Sequence, residues 1–199
     1  LDRWQRGLDD DWWTTLFFEN HDQPRSVSRF GDDEAYRYES ATALGTVVLT
    51  LRGTPFLFQG QELGMTNPSF ESLDDVADVD TVRNVEELIE DGVVEDYGSI
   101  RDVVEARSRD NARTPMQWTD EKHAGFTDGD PWLPVNGDYH AVNAARERAE
   151  TPSVLSYYRA LIDLRSGSEP LQGGAYKLHH PDDEQLYVYE RTADDERVA

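Results

Sequence analysis

Two short apolar runs, with a helix-periodic stretch between them, constrain this chain more than any other feature. Residues 14–19, TTLFFE, are β-branched and aromatic, and residues 54–59, TPFLFQ, are similarly apolar. Both read as strands, with Phe17 and Phe18 buried and Pro55 tolerated near a strand start. Between them Ala35, Tyr38, Ala41, Leu44, Val48 and Leu51 recur at helical spacing, predicting a helix over 32–52. Asp32 or Asp33 can cap it, Glu34 sits in the first turn, and Gly53 ends it. Strand, helix and strand with short connections form a βαβ unit, whose strands run parallel through a right-handed crossover. Both strands then finish on one sheet edge. That places ENHDQPR (19–25) beside GQELGM (60–65), on the edge that carries the chemistry in α/β barrels and open α/β sheets.

The pattern changes at about residue 65. Acidic helices are expected over 73–91 and 99–107, followed by the turn-rich stretch RDNARTPMQWTDEKHAGFTDGDPWLPVNGDY. A structured loop of such length, over about 65–150, is usually functional. Residues 152–166, PSVLSYYRALIDLRS, are amphipathic with period 3.6 and carry Pro152 near the start, as a helix does. GGAYKLHH and EQLYVYER then alternate with period two around PDDE, which reads as a β-hairpin. The expected organisation is one α/β unit over 1–168, with a second, all-β domain starting at 169–199. The opening LDRWQRGLDD reads as helical.

Asp and Glu number 41 against 19 Lys and Arg, a net charge of −22. Such a charge repels nucleic acid and anionic membranes, so neither is expected as a partner. The acids are dispersed along the chain, as on a solvated surface. With very few lysines, they suggest adaptation to high salt, where screening relieves self-repulsion. Cys is absent, which excludes disulfides and thiolate metal sites. The longest apolar stretch, ATALGTVVLTL, is too short to span a bilayer. No secretory leader is visible, although a chain opening on Leu1 makes that uninformative; the working expectation is a cytoplasmic protein.

His21 and Asp22, at the end of the first strand, are compatible with a metal pair, a proton relay, a sugar clamp or a structural cap. One histidine and one carboxylate under-supply a metal site, so no metal or cofactor is expected. Their context, FFENHDQPRSVSRFG followed by GTPFLFQGQELGM and then RDNARTPMQW…HAGF, resembles the α-amylase family of retaining glycoside hydrolases, in its oligo-1,6-glucosidase/α-glucosidase group. The resemblance implies α/β architecture: the C-terminal part of a (β/α)₈ barrel, strands seven and eight with their helices, followed by the start of an all-β domain. It implies an exo-acting enzyme that hydrolyses α-glucosidic bonds of short oligosaccharides with retention. A transglycosylating relative, of the sucrose isomerase or trehalose-phosphate hydrolase type, and a non-catalytic family member acting as a partner subunit are alternatives.

By the same resemblance, Asp22 is the third carboxylate, a transition-state stabiliser that grips the distorted, oxocarbenium-like sugar. His21 hydrogen-bonds that sugar, and Gln23 faces the next one. Arg109 is expected to pair with an acidic residue from an early barrel loop and close the pocket, while Arg113 reaches the +1 sugar. If RDNAR is helical, the two arginines share a face; either could equally be a loop brace. The nucleophile and acid/base of the family sit on earlier strands, outside this sequence. Glu62 reads as a structural hydrogen-bonder. Trp118, Phe126 and Trp132 either stack on sugars or pin the loop. His123, His140, His179 and His180 read as surface residues without partners.

Overall fold

Strand β1 (Thr15–Leu16) and strand β2 (Thr54–Pro55) pair in parallel, with Thr15 opposite Thr54 and Leu16 opposite Pro55. The structure is a computed structural model and describes Gln5 and residues 13–199. The helix expected over residues 1–10 therefore lies, except for Gln5, outside the described residues. Backbone bonds from Thr54 N to Thr14 O (2.9 Å) and from Phe56 N to Leu16 O (2.8 Å) extend the ladder at both ends. The regular strands are thus shorter than the apolar runs that contain them.

Alternation along β1 splits its side chains. Leu16 and Phe18 pack against the helical core, Phe18 with its ring 5.6 Å from that of Phe30. Phe17 points the other way and is 49% exposed, as is Phe56 at 54%. The expectation that Phe17 is buried is therefore corrected: it lies on the strand face that no described segment covers.

Four short or medium helices follow. Helix α1 (Ser26–Phe30), not anticipated from the sequence, follows Pro24 and Arg25. Helix α2 (Arg37–Thr50) begins five residues later than expected. Asp32 does not cap it but gathers the backbone N–H groups of Glu34, Ala35 and Tyr36 into a turn ahead of it, and those bonds hold its carboxyl below the usual range. Gly53, at φ +145°, lies so close to β1 that a Cβ there would stand 2.8 Å from Leu16 Cγ and Thr14 O. Over the intervening segment, helix α3 (Val79–Glu90) and helix α4 (Arg101–Arg107) bury Val85 and Val104 against Phe70 and Val76.

Helix α5 (Ala144–Ala149) leads into helix α6 (Val154–Ser166). Ser153 and Ser156 form a reciprocal cap at the start of α6. Helix α6 packs on α2: Tyr158 is buried against Gly45, where a Cβ would meet its ring at 2.8 Å. Val27, Ala41, Val48, Leu49, Val154 and Leu161 complete this core. A second cluster joins Leu63, Met65, Met116, Val142 and Ala144 beneath the long loop.

The chain continues through helix α7 (Glu169–Gly173) into an antiparallel sheet of β3 (Ala175–His179), β4 (Val188–Ala193) and β5 (Glu196–Val198), in that order. The hairpin predicted for this stretch is present, with Ala175 opposite Thr192. Two arginines bond to the end of α2, Arg191 from this sheet and Arg165 from α6. Arg191, fully buried, donates to Thr50 O (2.7 Å) and Gly174 O (2.9 Å). Arg165 donates to Leu49 O and Gly53 O, each at 2.7 Å. Among the described residues neither pairs with a carboxylate; carbonyl oxygens, including those at the negative end of α2, face their charge. Burial lowers the Arg191 guanidinium to about 10, which leaves it charged at neutral pH.

Replacing Arg191 with Met would remove the side-chain donor from two carbonyls, Thr50 O and Gly174 O. The expected loss is about 1–3 kcal/mol for each buried group left unpaired. Urea midpoints of Arg191→Met and of the exposed control Arg83→Met check this; equal midpoints would show that the hairpin is not held through α2.

Candidate functional site

The turn from Glu19 to Ser26 carries the candidate residues of the first motif. Pro24 and Arg25 are buried at its end, while His21 and Asp22 project from its middle into solvent. Asn20 Oδ1 accepts the backbone N–H of Asp22 at 2.8 Å and fixes the peptide. His21 Nε2 lies 3.2 Å from Asp22 Oδ2. The other carboxylate oxygen of Asp22 accepts from Arg113 Nη2 at 2.7 Å, and Arg113 Nε donates to the His21 carbonyl at 2.8 Å. Arg109 Nη1 stands 3.9 Å from the same Asp22 oxygen. Thus Asp22, His21, Arg113 and Arg109, drawn from two segments about ninety residues apart, meet at one place.

RDNAR is helical only as a 3₁₀ turn, Arg109–Ala112, with Arg113 at its end. At about three residues per turn, positions four apart do not share a face. The arginines converge because both reach the same acids. Arg109 Nη2 donates to Asp78 and, at 2.6 Å, to Asp80. Arg113 Nη1 lies 3.6 Å from Asp78 Oδ1. Asp110, fully buried, takes the backbone N–H groups of Ala77 and Asp78 on Oδ2, both at 2.7 Å, which locks this acidic segment to the turn. The result is an alternating chain of charges, Asp22–Arg113–Asp78–Arg109–Asp80.

Within these residues Arg109 finds acidic partners in the long loop, Asp78 and Asp80, in addition to any from an early barrel loop, which lies outside this sequence. Asp78, Asp80 and Asp110 were missed. DDVADVD resembled any solvated acidic helix start, and only the side-chain burial of Asp78, at 4% exposed, distinguishes it. Burial alone would raise the Asp78 carboxyl, but hydrogen bonds from Arg109 and Thr81 outweigh it and hold it below the usual range.

Gln23 is half-buried and accepts from Arg29, so it does not join the Asp22 cluster. Glu62 accepts the Gly60 N–H at 2.9 Å, and burial raises its carboxyl. Trp118, Phe126 and Trp132 are exposed and outside the hydrophobic clusters. The histidines expected to lack partners differ. His179 lies 3.2 Å from Glu190 Oε2, and the His140 ring sits 3.9 Å from that of Tyr139. Among the described residues, no group of three or more His, Asp or Glu side chains is placed to hold a metal ion, and no helix is long and apolar enough to cross a membrane.

A parallel strand pair bridged by a helix, delivering charged groups from its carboxyl edge, defines an α/β unit of the kind found in barrels and in open parallel sheets. The alpha amylase catalytic domain profile matches residues 1–174, and the chain belongs to that family. It is 45% identical over 192 residues to the oligo-1,6-glucosidase of Halalkalibacterium halodurans, covering 96% of this chain and 34% of that protein. It is 40% identical over 199 residues to the trehalose-6-phosphate hydrolase of Bacillus subtilis, covering 100% of this chain and 35% of that one. An isomaltulose synthase variant from Erwinia rhapontici NX5, solved in complex with its natural substrate sucrose, superposes with a TM-score of 0.92 at 42% identity, over 98% of this chain and 35% of that one. The chain spans about a third of the length of the relatives it matches. With these comparisons, β1 and β2 are strands of a (β/α)₈ barrel, followed by a small antiparallel sheet.

A carboxylate whose proton affinity is lowered on folding stabilises the fold above its unfolded pKa of about 4 and loses that contribution as pH falls below it. Asp78→Asn is therefore expected to flatten the acid limb of stability. Thermal midpoints at pH 6 and at pH 3 measure this; an unchanged acid limb would show that Asp78 contributes nothing through its charge.

Proposed function

We propose that these residues form the C-terminal part of an exo-acting α-glucosidase of the oligo-1,6-glucosidase type, acting on the non-reducing end of short oligosaccharides with retention. The convergence of Asp22, His21, Arg109 and Arg113 on one edge carries the reading, and the family membership supports it. Retaining hydrolysis needs a nucleophilic carboxylate and a second carboxyl as acid/base. In this proposal both come from earlier strands of the whole enzyme, and the present residues stabilise charge and hold the sugar. The domain division proposed is a barrel through residue 168 with a β-sandwich beginning at 169, and the proposed location is the cytoplasm.

Asp22 supplies negative charge where the ring becomes cationic, and a hydrogen bond to a ring hydroxyl that tightens in the transition state lowers the barrier. Arg113 occupies one oxygen of that carboxylate. A sugar hydroxyl is then received by an anion whose orientation is already fixed. Gln23 is proposed to face the next sugar once Arg29 releases it. The paired guanidinium of Arg109 closes the pocket beyond the terminal glucose, which confines binding to chain ends.

In the full-length polypeptide carrying this segment, Asp22→Asn preserves volume and removes charge. It is expected to lower kcat about 100- to 1000-fold with unchanged circular dichroism. Product analysis of the unaltered enzyme with isomaltose, maltose, sucrose and trehalose 6-phosphate decides between hydrolysis, isomerisation and phosphosugar cleavage. Glucose released from isomaltose supports the proposal; an isomerised disaccharide from sucrose, or preference for the phosphorylated substrate, would replace it.

A further proposal is that the enzyme works in high salt. The dispersed net charge of −22 repels itself until screened, and the Debye length shortens to about 3 Å at 1 M salt. The thermal midpoint is expected to rise from low salt to molar KCl; a flat or falling midpoint would refute this.

A further inference from the structure

We propose that the buried ion pair Glu19–Arg25 is the positioning device of the active edge, holding Asp22 and the Arg109–Arg113 turn in mutual register. The inference rests on the glucosidase reading for its kinetic consequence and on geometry alone for its structural one. Both side chains are 0% exposed, and Arg25 Nη1 lies 3.1 Å from Glu19 Oε2. Glu19 Oε1 also takes the backbone N–H and hydroxyl of Ser26, at 2.8 and 2.6 Å. The ends of the loop are thereby fastened inside the protein, and residues 20–24 are left as a short projecting arch with Asp22 near its middle.

The same guanidinium reaches two other segments. Nη1 donates to Gln59 O at 2.8 Å, just beyond β2, and Nη2 lies 3.5 Å from Ala112 O, within the turn that carries Arg109 and Arg113. The Arg25 backbone N–H adds Asn67 Oδ1 at 2.8 Å. One planar cation therefore touches the loop after β1, the end of β2 and the 3₁₀ turn. Those are the segments that must agree for Arg113 to meet Asp22. Arg25 touches neither Asp22 nor any solvent-facing part of the site, so it acts through other residues and is not a sugar ligand. An ion pair kept only for stability is dispensable in principle, because apolar replacements of both partners are often neutral. Its three-way contact gives it a second role.

The test uses the full-length polypeptide carrying this segment, with Arg25→Lys, Arg25→Met and the paired variant Glu19→Met/Arg25→Met. Arg25→Met leaves the buried Glu19 carboxylate without its cation and should melt earliest. The paired variant removes both charges and should recover most of the midpoint. If Arg25 positions the edge, kcat of the paired variant stays about 10- to 100-fold down while KM moves less. Adding Asp22→Asn to it then costs less than the same change in the unaltered enzyme. Recovery of kcat together with the midpoint would overturn the proposal. Arg25→Lys keeps the charge and loses the fork, and decides the matter if the paired variant does not fold: kcat equal to the unaltered enzyme would overturn it. Amide exchange gives an arm independent of activity. Residues 20–24 and 109–113 should exchange at least about tenfold faster in Arg25→Lys, with α2 and α6 unaffected. Unaltered enzyme inactive on every α-glucoside would sink the glucosidase reading alone; unchanged exchange at those two segments would sink this one.

Discussion

The parallel pairing of β1 and β2 across α2 is the constraint on which the rest depends. A helix between two parallel strands fixes where each strand stops, and so fixes which loops share an edge. Gly53 lets β2 begin in close contact with β1, and Gly45 lets Tyr158 seat α6 on α2. A Cβ at Gly45 would push α6 from α2, and one at Gly53 would push the start of β2 from β1. The strand pair and the helices packed on it, which carry the edge bearing His21 and Asp22, thus depend on small residues away from that edge.

The βαβ unit was legible because its signals are local: apolar runs, 3.6-residue periodicity and a glycine stop. So was the hairpin of β3 and β4, through its alternation. Helix α2 starts late because Asp32 spends its carboxylate on a turn, a competition that periodicity does not reveal. Phe17 reads as core in sequence but stands exposed, because burial depends on what faces the strand. In the candidate site, Asp22 and the two arginines were recognisable from their motifs. Asp78, Asp80 and Asp110 were not, because an acid that receives a guanidinium from thirty residues away resembles an acid facing water. Glu19 and Arg25 stood in plain view in ENHDQPR, yet nothing local shows that this pair is buried and the neighbouring acid exposed.

Charge is distributed unevenly in this acidic chain. The outside carries the net negative charge, while Arg25, Arg165 and Arg191 are drawn inward onto carbonyl oxygens. Arginine suits that use, since its planar fork satisfies several acceptors at once and keeps its charge when desolvated. Contacts of this kind depend on fixed dipoles in the interior and are much less sensitive to dissolved salt than surface pairs are.

The Arg191 contact with the end of α2 also bears on how the chain assembles as it is synthesised. Thr50 O waits for a donor that lies 141 residues further along the sequence. While the intervening segment emerges from a ribosome, α2 can form and meet α6, yet its last turn has no partner from the hairpin. Closing that gap brings together distant parts of the chain, an entropic cost that slows folding relative to local contacts. Arg165 of α6 can already hold Leu49 O and Gly53 O, so Thr50 O would be the acceptor at the end of α2 that is satisfied last, after nearly the whole of these 199 residues has been made.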